Sequence, residues 1–315
     1  MLIEERTSTH IYRQKQMLSK EELLKRESLC VHEQPAYCNA ACPLKLDVKA
    51  MAAAVARGDF DHALALYEKI TPFPHILSAG CEADCEEKCR LCSLGDGIAI
   101  RDLERAALRY GASSKGRGIR FQKKKTAAIL GSGLFPLFLA GELAKKNYPV
   151  SIFCEEPDAM EFLAVETQFA GQENRELDLG KLQAMDLHFH FSRALTWEFY
   201  DSLQGQYDVI CADFKTALQL FPGLSADRKL MYDRDHHLVT GPVSGVLDAA
   251  FAAKKAALTV DRLAQNLDPA NARGEEGPQE TKLYTSLEDV KPSLRIPVQS
   301  REEAVREAQR CIQCR

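Results

Sequence analysis

Apolar positions follow a helical period over residues 46–57, a stretch rich in alanine, and again over residues 59–70. Gly58 is placed to end the first helix, and Thr71-Pro72-Phe73-Pro74 stops the second. Upstream, Ser19 followed by Glu22 is a capping box for a helix running toward Cys30. From Thr126 the pattern changes. Short apolar blocks at residues 126–130, 149–153 and 207–212 read as buried strands, and residues 134–146 and 246–263 read as helices. Gly131-Ser132-Gly133 separates the first strand from its helix. Strand–helix–strand alternation predicts a parallel sheet with right-handed crossovers. Residues 270–299, rich in Gly, Pro, Glu and Lys, predict extended chain; a last helix starts at Ser300, boxed by Glu303, with Cys311 and Cys314 at its end.

These elements divide the chain into a helical domain (residues 1–118), a Rossmann-like parallel-sheet domain (residues 125–268) and a tail with a C-terminal helix (residues 269–315), an α plus α/β organisation. The Gly/Ser/Lys/Arg stretch at residues 111–118 marks the boundary. Six basic residues between Lys115 and Lys125 read as a solvated linker, against the alternative of a docking patch for an acidic partner.

Composition narrows the class. At 315 residues the chain has room for about two domains. Its 45% apolar and 27% charged content is ordinary for a globular protein, and a net charge of −4 without a basic helical stripe argues against nucleic acid as partner. No basic-then-apolar leader opens the chain and no 18-residue apolar run could span a membrane, so a cytoplasmic setting is expected. Thiols stay reduced there, and clustered cysteines point to metal or redox chemistry rather than disulfides.

Seven of the eleven cysteines fall within residues 30–92. They read Cys30-x7-Cys38-x3-Cys42-Pro43 and Cys81-x3-Cys85-x3-Cys89-x2-Cys92. A Cys-x3-Cys-Pro ending is the tail of the ferredoxin-type run, whose last cysteine serves a different cluster from the others. Zinc is the main competitor, but structural zinc sites draw on two separate cysteine pairs per metal, and these runs do not pair off that way. Iron–sulfur ligation is the better reading.

Residues 28–108 resemble the N-terminal iron–sulfur domain shared by the glutamate synthase small subunit and dihydropyrimidine dehydrogenase. The resemblance rests on Cys30, Cys38, Cys42, Pro43, Thr71-Pro72-Phe73-Pro74, Cys81, Cys85, Cys89 and Leu103-Glu104-Arg105, in that order. It implies two [4Fe–4S] clusters with interleaved ligands: Cys30, Cys38 and Cys89 for one; Cys42, Cys81, Cys85 and Glu104 for the other. The family's second cysteine falls here on Glu33, so Glu33 or Cys92 must complete the first cluster. Cys92 is preferred, because thiolate is the usual ligand of such iron.

Residues 125–268 resemble the flavin-binding half of the same family's oxidoreductases. That resemblance implies FAD, held at Gly131, Ser132 and Gly133 with Glu155 near the ribose. The landmarks are altered, however. Pro136 stands at the third glycine position, Cys154 at the ribose-binding acid, Asp213-Phe214 at a Thr-Gly and His236-His237 at a Gly-Asp. The balance favours a scaffold over a flavin site. Only 13 residues separate Pro222 from His236, too few for an NAD(P)H domain. Cys154 and Cys211 lie in apolar strands and read as inert core thiols, and His236-His237 as an exposed loop.

Glu307-Ala-Gln-Arg310-Cys311-Ile-Gln-Cys314 resembles the element that opens a further ferredoxin-like module in longer relatives, and it echoes the run into Cys30. Two cysteines cannot hold a cubane alone, which leaves a truncated module, a site shared with a partner, or a remnant. The expected function is electron transfer, as an iron–sulfur protein or subunit working with other redox modules. The alternative is an FAD-containing oxidoreductase fragment.

Overall fold

The computed structural model describes residues 19–30, 34–113, 121–271 and 273–314, with residues 25 and 27–30 described by their backbone alone. The helical region comprises α1 (Lys20–Cys30), α2 (Tyr37–Ala41), α3 (Val48–Ala56), α4 (Phe60–Ile70), α5 (Pro74–Gly80), α6 (Asp84–Glu87) and α7 (Ile100–Tyr110). Local chemistry sets their ends. Ser19 and Glu22 exchange backbone-to-side-chain bonds of 2.9 and 3.1 Å at the start of α1. Asp47 accepts from Ala50 N at 3.0 Å to cap α3, and Asp59 accepts from His62 N at 3.1 Å to cap α4. Gly58 takes φ +75° between those two helices, and Pro74 opens α5, where its missing N–H costs nothing.

The second region alternates as expected: β1 (Ala127–Leu130), α8 (Leu134–Lys145), β2 (Val150–Phe153), α9 (Ala159–Ala164), α10 (Gly171–Gln183), β3 (Leu187–His190), α11 (Trp197–Leu203), β4 (Val209–Ala212), α12 (Phe214–Leu220), β5 (Tyr232–Asp233), β6 (Leu238–Val239) and α13 (Gly245–Ala264). The sheet order is β3-β2-β1-β4-β6-β5, parallel except where β5 meets β6. Strands β1 and β4 sit centrally and are buried throughout, which is why they read as unbroken apolar blocks. The chain order reverses direction between β1 and β4, so the crevice beyond their carboxyl ends is the topological switch point of the sheet.

The helical region and the sheet share one apolar core, running from Met51, Tyr67 and Phe73 to Phe138 and Ile152. Phe73 packs edge-on against Phe138 of α8 at 5.9 Å. Gly141 makes that approach possible, since a Cβ there would lie 2.4 Å from Pro72 Cγ. Asp178 of α10 accepts from Ile76 N at 2.8 Å and pairs with His75 at 2.9 Å, so the sheet domain caps the start of α5.

Residues 273–299 carry no helix or strand, as expected of an extended tail. They lie back along the helical region: Gln279 N donates to Ala40 O at 2.8 Å, Thr281 Oγ1 to Pro35 O at 2.7 Å, and Arg295 pairs with Glu86 at 2.9 Å. The chain then enters α14 (Arg301–Gln309), whose capping box is formed by Ser300 and Glu303. Among the described residues no helix is long and apolar enough to cross a membrane.

Candidate metal centres

Two thiol-lined cavities lie next to each other in the helical region, and both draw on the same two chain segments. Cys38 of α2 lines one and Cys42, just past its end, lines the other. Cys85 of α6 and Cys89, just beyond it, divide the same way.

Cys42, Cys81, Cys85 and Glu104 line one cavity, walled by Leu46, Tyr67, Ile70 and Leu77. Cys42 ends α2 in an extended conformation (φ −73°, ψ 117°), the backbone state that Pro43 requires of its predecessor. Cys81 closes α5, and Ala83, in the turn toward Cys85, is held at φ +60°. A left-handed alanine costs on the order of 1 kcal/mol and persists only where surrounding packing imposes it. Glu104 stands on α7, 3% exposed, and its Oε2 has no hydrogen-bond partner among the described residues, nor has Tyr67 Oη. Burial raises the Glu104 carboxyl to about 7. Burial, then the Glu104 charge, pushes the Cys81 thiol up to about 12 and Cys85 higher still; burial also raises Cys42. Three thiols and an orphaned carboxylate oxygen in an apolar shell are costly as anions unless a cation is shared among them. Four donors of this kind fit a cluster ligand set.

Cys38, Cys89, Cys311 and Cys314 line the second cavity, with Val48, Ala52, Leu91, Ile98 and Ile100 around them. Burial pushes Cys38 up to about 12, helped by Cys311, Cys314 and Cys89 in that order. Burial likewise raises Cys311 and Cys314. Two N–H groups aim at the sulfurs: Ile98 N at 3.5 Å from Cys89 Sγ, and Gln313 Nε2 at 3.3 Å from Cys311 Sγ. Such donors tune the potential of a thiolate-bound cluster.

Of the residues expected to serve this second site, Cys38 and Cys89 line the cavity. The Cys30 side chain and Glu33 lie outside the described residues. Cys92 follows Cys89 in a 3₁₀ turn but is exposed, its thiol directed at Glu86 O, 3.3 Å away. The places beside Cys38 and Cys89 are taken by Cys311 and Cys314, which sequence reasoning left without an assigned site. The signal was present as a complete Cys-x2-Cys at one end of the chain and an incomplete Cys30-x2-Glu33 at the other.

Among the described residues no set of three or more His, Cys, Asp or Glu side chains is grouped to hold a single metal ion. Sulfurs around a tetrahedral zinc at ~2.3 Å stand within about 4 Å of each other, whereas a cluster spreads its ligands around several irons.

The crevice at the sheet switch point has a volume of about 480 Å³ and contains Gly131, Ser132 and Glu155. Gly131 and Gly133 both take φ +97°, a glycine conformation. The donors a pyrophosphate would use are already engaged. Leu134 N, at the start of α8, donates to Glu166 Oε2 at 2.9 Å, and Ser132 Oγ donates to Glu156 Oε1 at 2.7 Å. Asp213 is fixed by Thr216 N at 2.9 Å and crowds Gly131, where a Cβ would sit 1.6 Å from Asp213 Oδ2. Glu155, Glu156, Glu166 and Asp213 face the crevice against one cation, Lys215. These residues do not fit the pyrophosphate of FAD.

Cys154 and Cys211 are fully buried; burial, then Glu156, raises Cys154 to about 12, and burial alone raises Cys211. His236 and His237 are engaged by Asp233 and Tyr232, each at 2.8 Å, in the turn between β5 and β6.

Comparison with known proteins finds a family likeness in the helical region. Residues 7–115 match the family model described as dihydropyrimidine dehydrogenase domain II, 4Fe-4S cluster. The chain is 29% identical over 152 residues to the NADP(+)-dependent formate dehydrogenase subunit beta of Moorella thermoacetica, covering 41% of this chain and 22% of that one. It is 29% identical over 117 residues to the glutamate synthase [NADPH] small chain of Bacillus subtilis (strain 168), covering 36% of this chain and 24% of that one. The chain thus matches less than a quarter of the length of either relative. The family match covers about the first third of the chain, which is similar to a 4Fe–4S cluster domain.

Proposed function

We propose that this chain is an electron-transfer subunit of a larger oxidoreductase, holding two [4Fe–4S] clusters side by side. Bound clusters of this type take up and release single electrons at potentials set by their ligands and surroundings. The protein's part is to hold them, shield them and tune them. Cys42, Cys81, Cys85 and Glu104 hold one cluster; Cys38 and Cys89 contribute to the other. The observation that carries this reading is the pair of adjacent cavities sharing α2 and the 81–89 segment, which would make the two clusters immediate neighbours.

Electrons reach the chain from, and leave it to, redox modules of partner subunits. The relatives support this: one is a subunit of an NADP(+)-dependent formate dehydrogenase, the other the small chain of an NADPH-dependent glutamate synthase. The sheet domain is a scaffold rather than a flavin site, because Glu166, Glu156 and Asp213 engage the positions a pyrophosphate needs.

The test is anaerobic purification followed by assays for iron, acid-labile sulfide, zinc and acid-released flavin. About eight irons and eight sulfides per chain without flavin are expected. One flavin per chain would restore the flavoenzyme reading, and stoichiometric zinc without iron would end the electron-transfer reading.

A further inference from the structure

We propose that Cys311 and Cys314, and neither Cys30 nor Cys92, complete the cluster site begun by Cys38 and Cys89. The inference rests on the electron-transfer reading above and assigns the remaining ligands of its second site.

The C-terminal segment is built to deliver these thiols. α14 lays Ala304 and Ala308 into the core, packing against α3 and α7. Glu307, on the same face, has no exposed surface. Its Oε1 accepts from Ala99 N at 2.9 Å and from Arg310 at 2.7 Å, and its Oε2 accepts from Ile296 N at 2.8 Å. Arg310 in turn donates to Asp96 O at 2.7 Å and Ser293 O at 2.9 Å. The buried pair therefore ties three things together: the end of α14, the loop that follows Cys92, and the tail before the helix. Past Arg310 the chain turns through Gln313 at φ +51°, whose side chain reaches Lys49 O at 3.4 Å, and both flanking cysteines face Cys38 and Cys89. A buried ion pair with every oxygen satisfied is an expensive way to hold an idle remnant. It is a reasonable way to hold ligands whose placement must match the geometry of their cluster to within about 0.5 Å.

The arrangement also explains Cys92. Its thiol is exposed and turned to Glu86 O, away from the cavity's lining, while the described residues already bring four other sulfurs to that cavity. Glu307 and Arg310 are positioning residues for Cys311 and Cys314, and through them the distal end of the chain closes a site begun near its start.

The experiment compares the anaerobically purified full chain with C311S/C314S, C30S and C92S. The double variant should lose about half of the wild-type iron and sulfide, and the two single variants should keep all of it. Loss of iron in C30S or C92S with full iron in C311S/C314S would overturn the assignment while leaving the electron-transfer reading intact. A wild-type chain without iron would remove that reading itself. Should the double variant not fold, alkylation of the wild-type protein decides. Cys38, Cys89, Cys311 and Cys314 should resist iodoacetamide until the iron is chelated and then label together, with Cys92 labelled throughout. Ready labelling of Cys311 and Cys314 in the iron-loaded protein would refute the assignment.

Discussion

A carboxylate oxygen of Glu166 sits 2.9 Å from the backbone N–H of Leu134, at the first turn of the helix that follows Gly131-Ser132-Gly133. A helix start with free N–H groups is a ready anion site, and here the chain supplies its own anion. The glycines keep the backbone of a nucleotide-binding turn while Glu166 engages a donor that a phosphate would use.

From that contact follows a first prediction. FAD added to the purified protein should bind neither in wild type nor in E166A, because Glu156 and Asp213 still occupy the crevice. E166A should instead lose about 1 kcal/mol of stability through an uncapped α8, seen as a lower urea midpoint. Flavin fluorescence titration checks the first expectation, and stoichiometric quenching would contradict it.

Glu307 and Arg310 form the most enclosed ion pair described in the chain, with side chains 0% and 8% exposed. E307A leaves a buried guanidinium and two backbone N–H groups without their partner, a change that costs about 3–5 kcal/mol. E307Q keeps the shape and some of the hydrogen bonds, and should cost less. Urea unfolding gives the stabilities. Iron content should fall by up to half in E307A, and the remaining half reports the Glu104 site.

Glu104 supplies a buried carboxylate beside the three thiols of its cavity. E104A should cost the protein about four irons if the carboxylate ligates. E104C should keep them and lower the midpoint potential, since thiolate donates more charge to iron than carboxylate does. Iron assay and an EPR-monitored redox titration distinguish these outcomes, and full iron in E104A would exclude Glu104 as a ligand.

Cluster assembly should depend on pH. In the iron-free chain Cys38 and Cys81 are raised to about 12 by burial, so near neutrality these thiols hold their protons, whereas iron binds thiolates. Uptake must release those protons, and apparent affinity should rise between pH 7 and pH 9, by up to about tenfold per unit for each proton displaced. The iron-free fold should show the opposite trend. The Cys38 and Cys81 thiols lie above the unfolded value of about 8.5, so above that pH unfolding releases protons and stability falls. Reconstitution at stepped pH and urea curves of the apo-protein test both signs.

Much of this architecture is legible in the chain alone. Ser19 and Ser300 cap their helices within three residues, and β1 and β4 are continuous apolar blocks because both their faces are covered. Residues 155–206 were not legible in the same way. α10 buries only Asp178 and Leu182 of its 13 residues, and β3 is a half-covered edge strand reading Leu-His-Phe-His. Neither carries the hydrophobic period that marks a helix or strand in a sequence.

Sequence by itself determined the thiol spacing, the helix caps and the strand–helix alternation, because each is written within a few neighbouring residues. It identified Cys42, Cys81, Cys85 and Glu104 as a set only through resemblance. Tertiary structure alone decided that Cys311 and Cys314 come to rest beside Cys38 and Cys89, and that Glu166 and Asp213 close over a glycine turn. Those meetings join positions up to hundreds of residues apart. Packing of α14 and burial of Glu307 bring about the first of them, and no local preference of the chain encodes either.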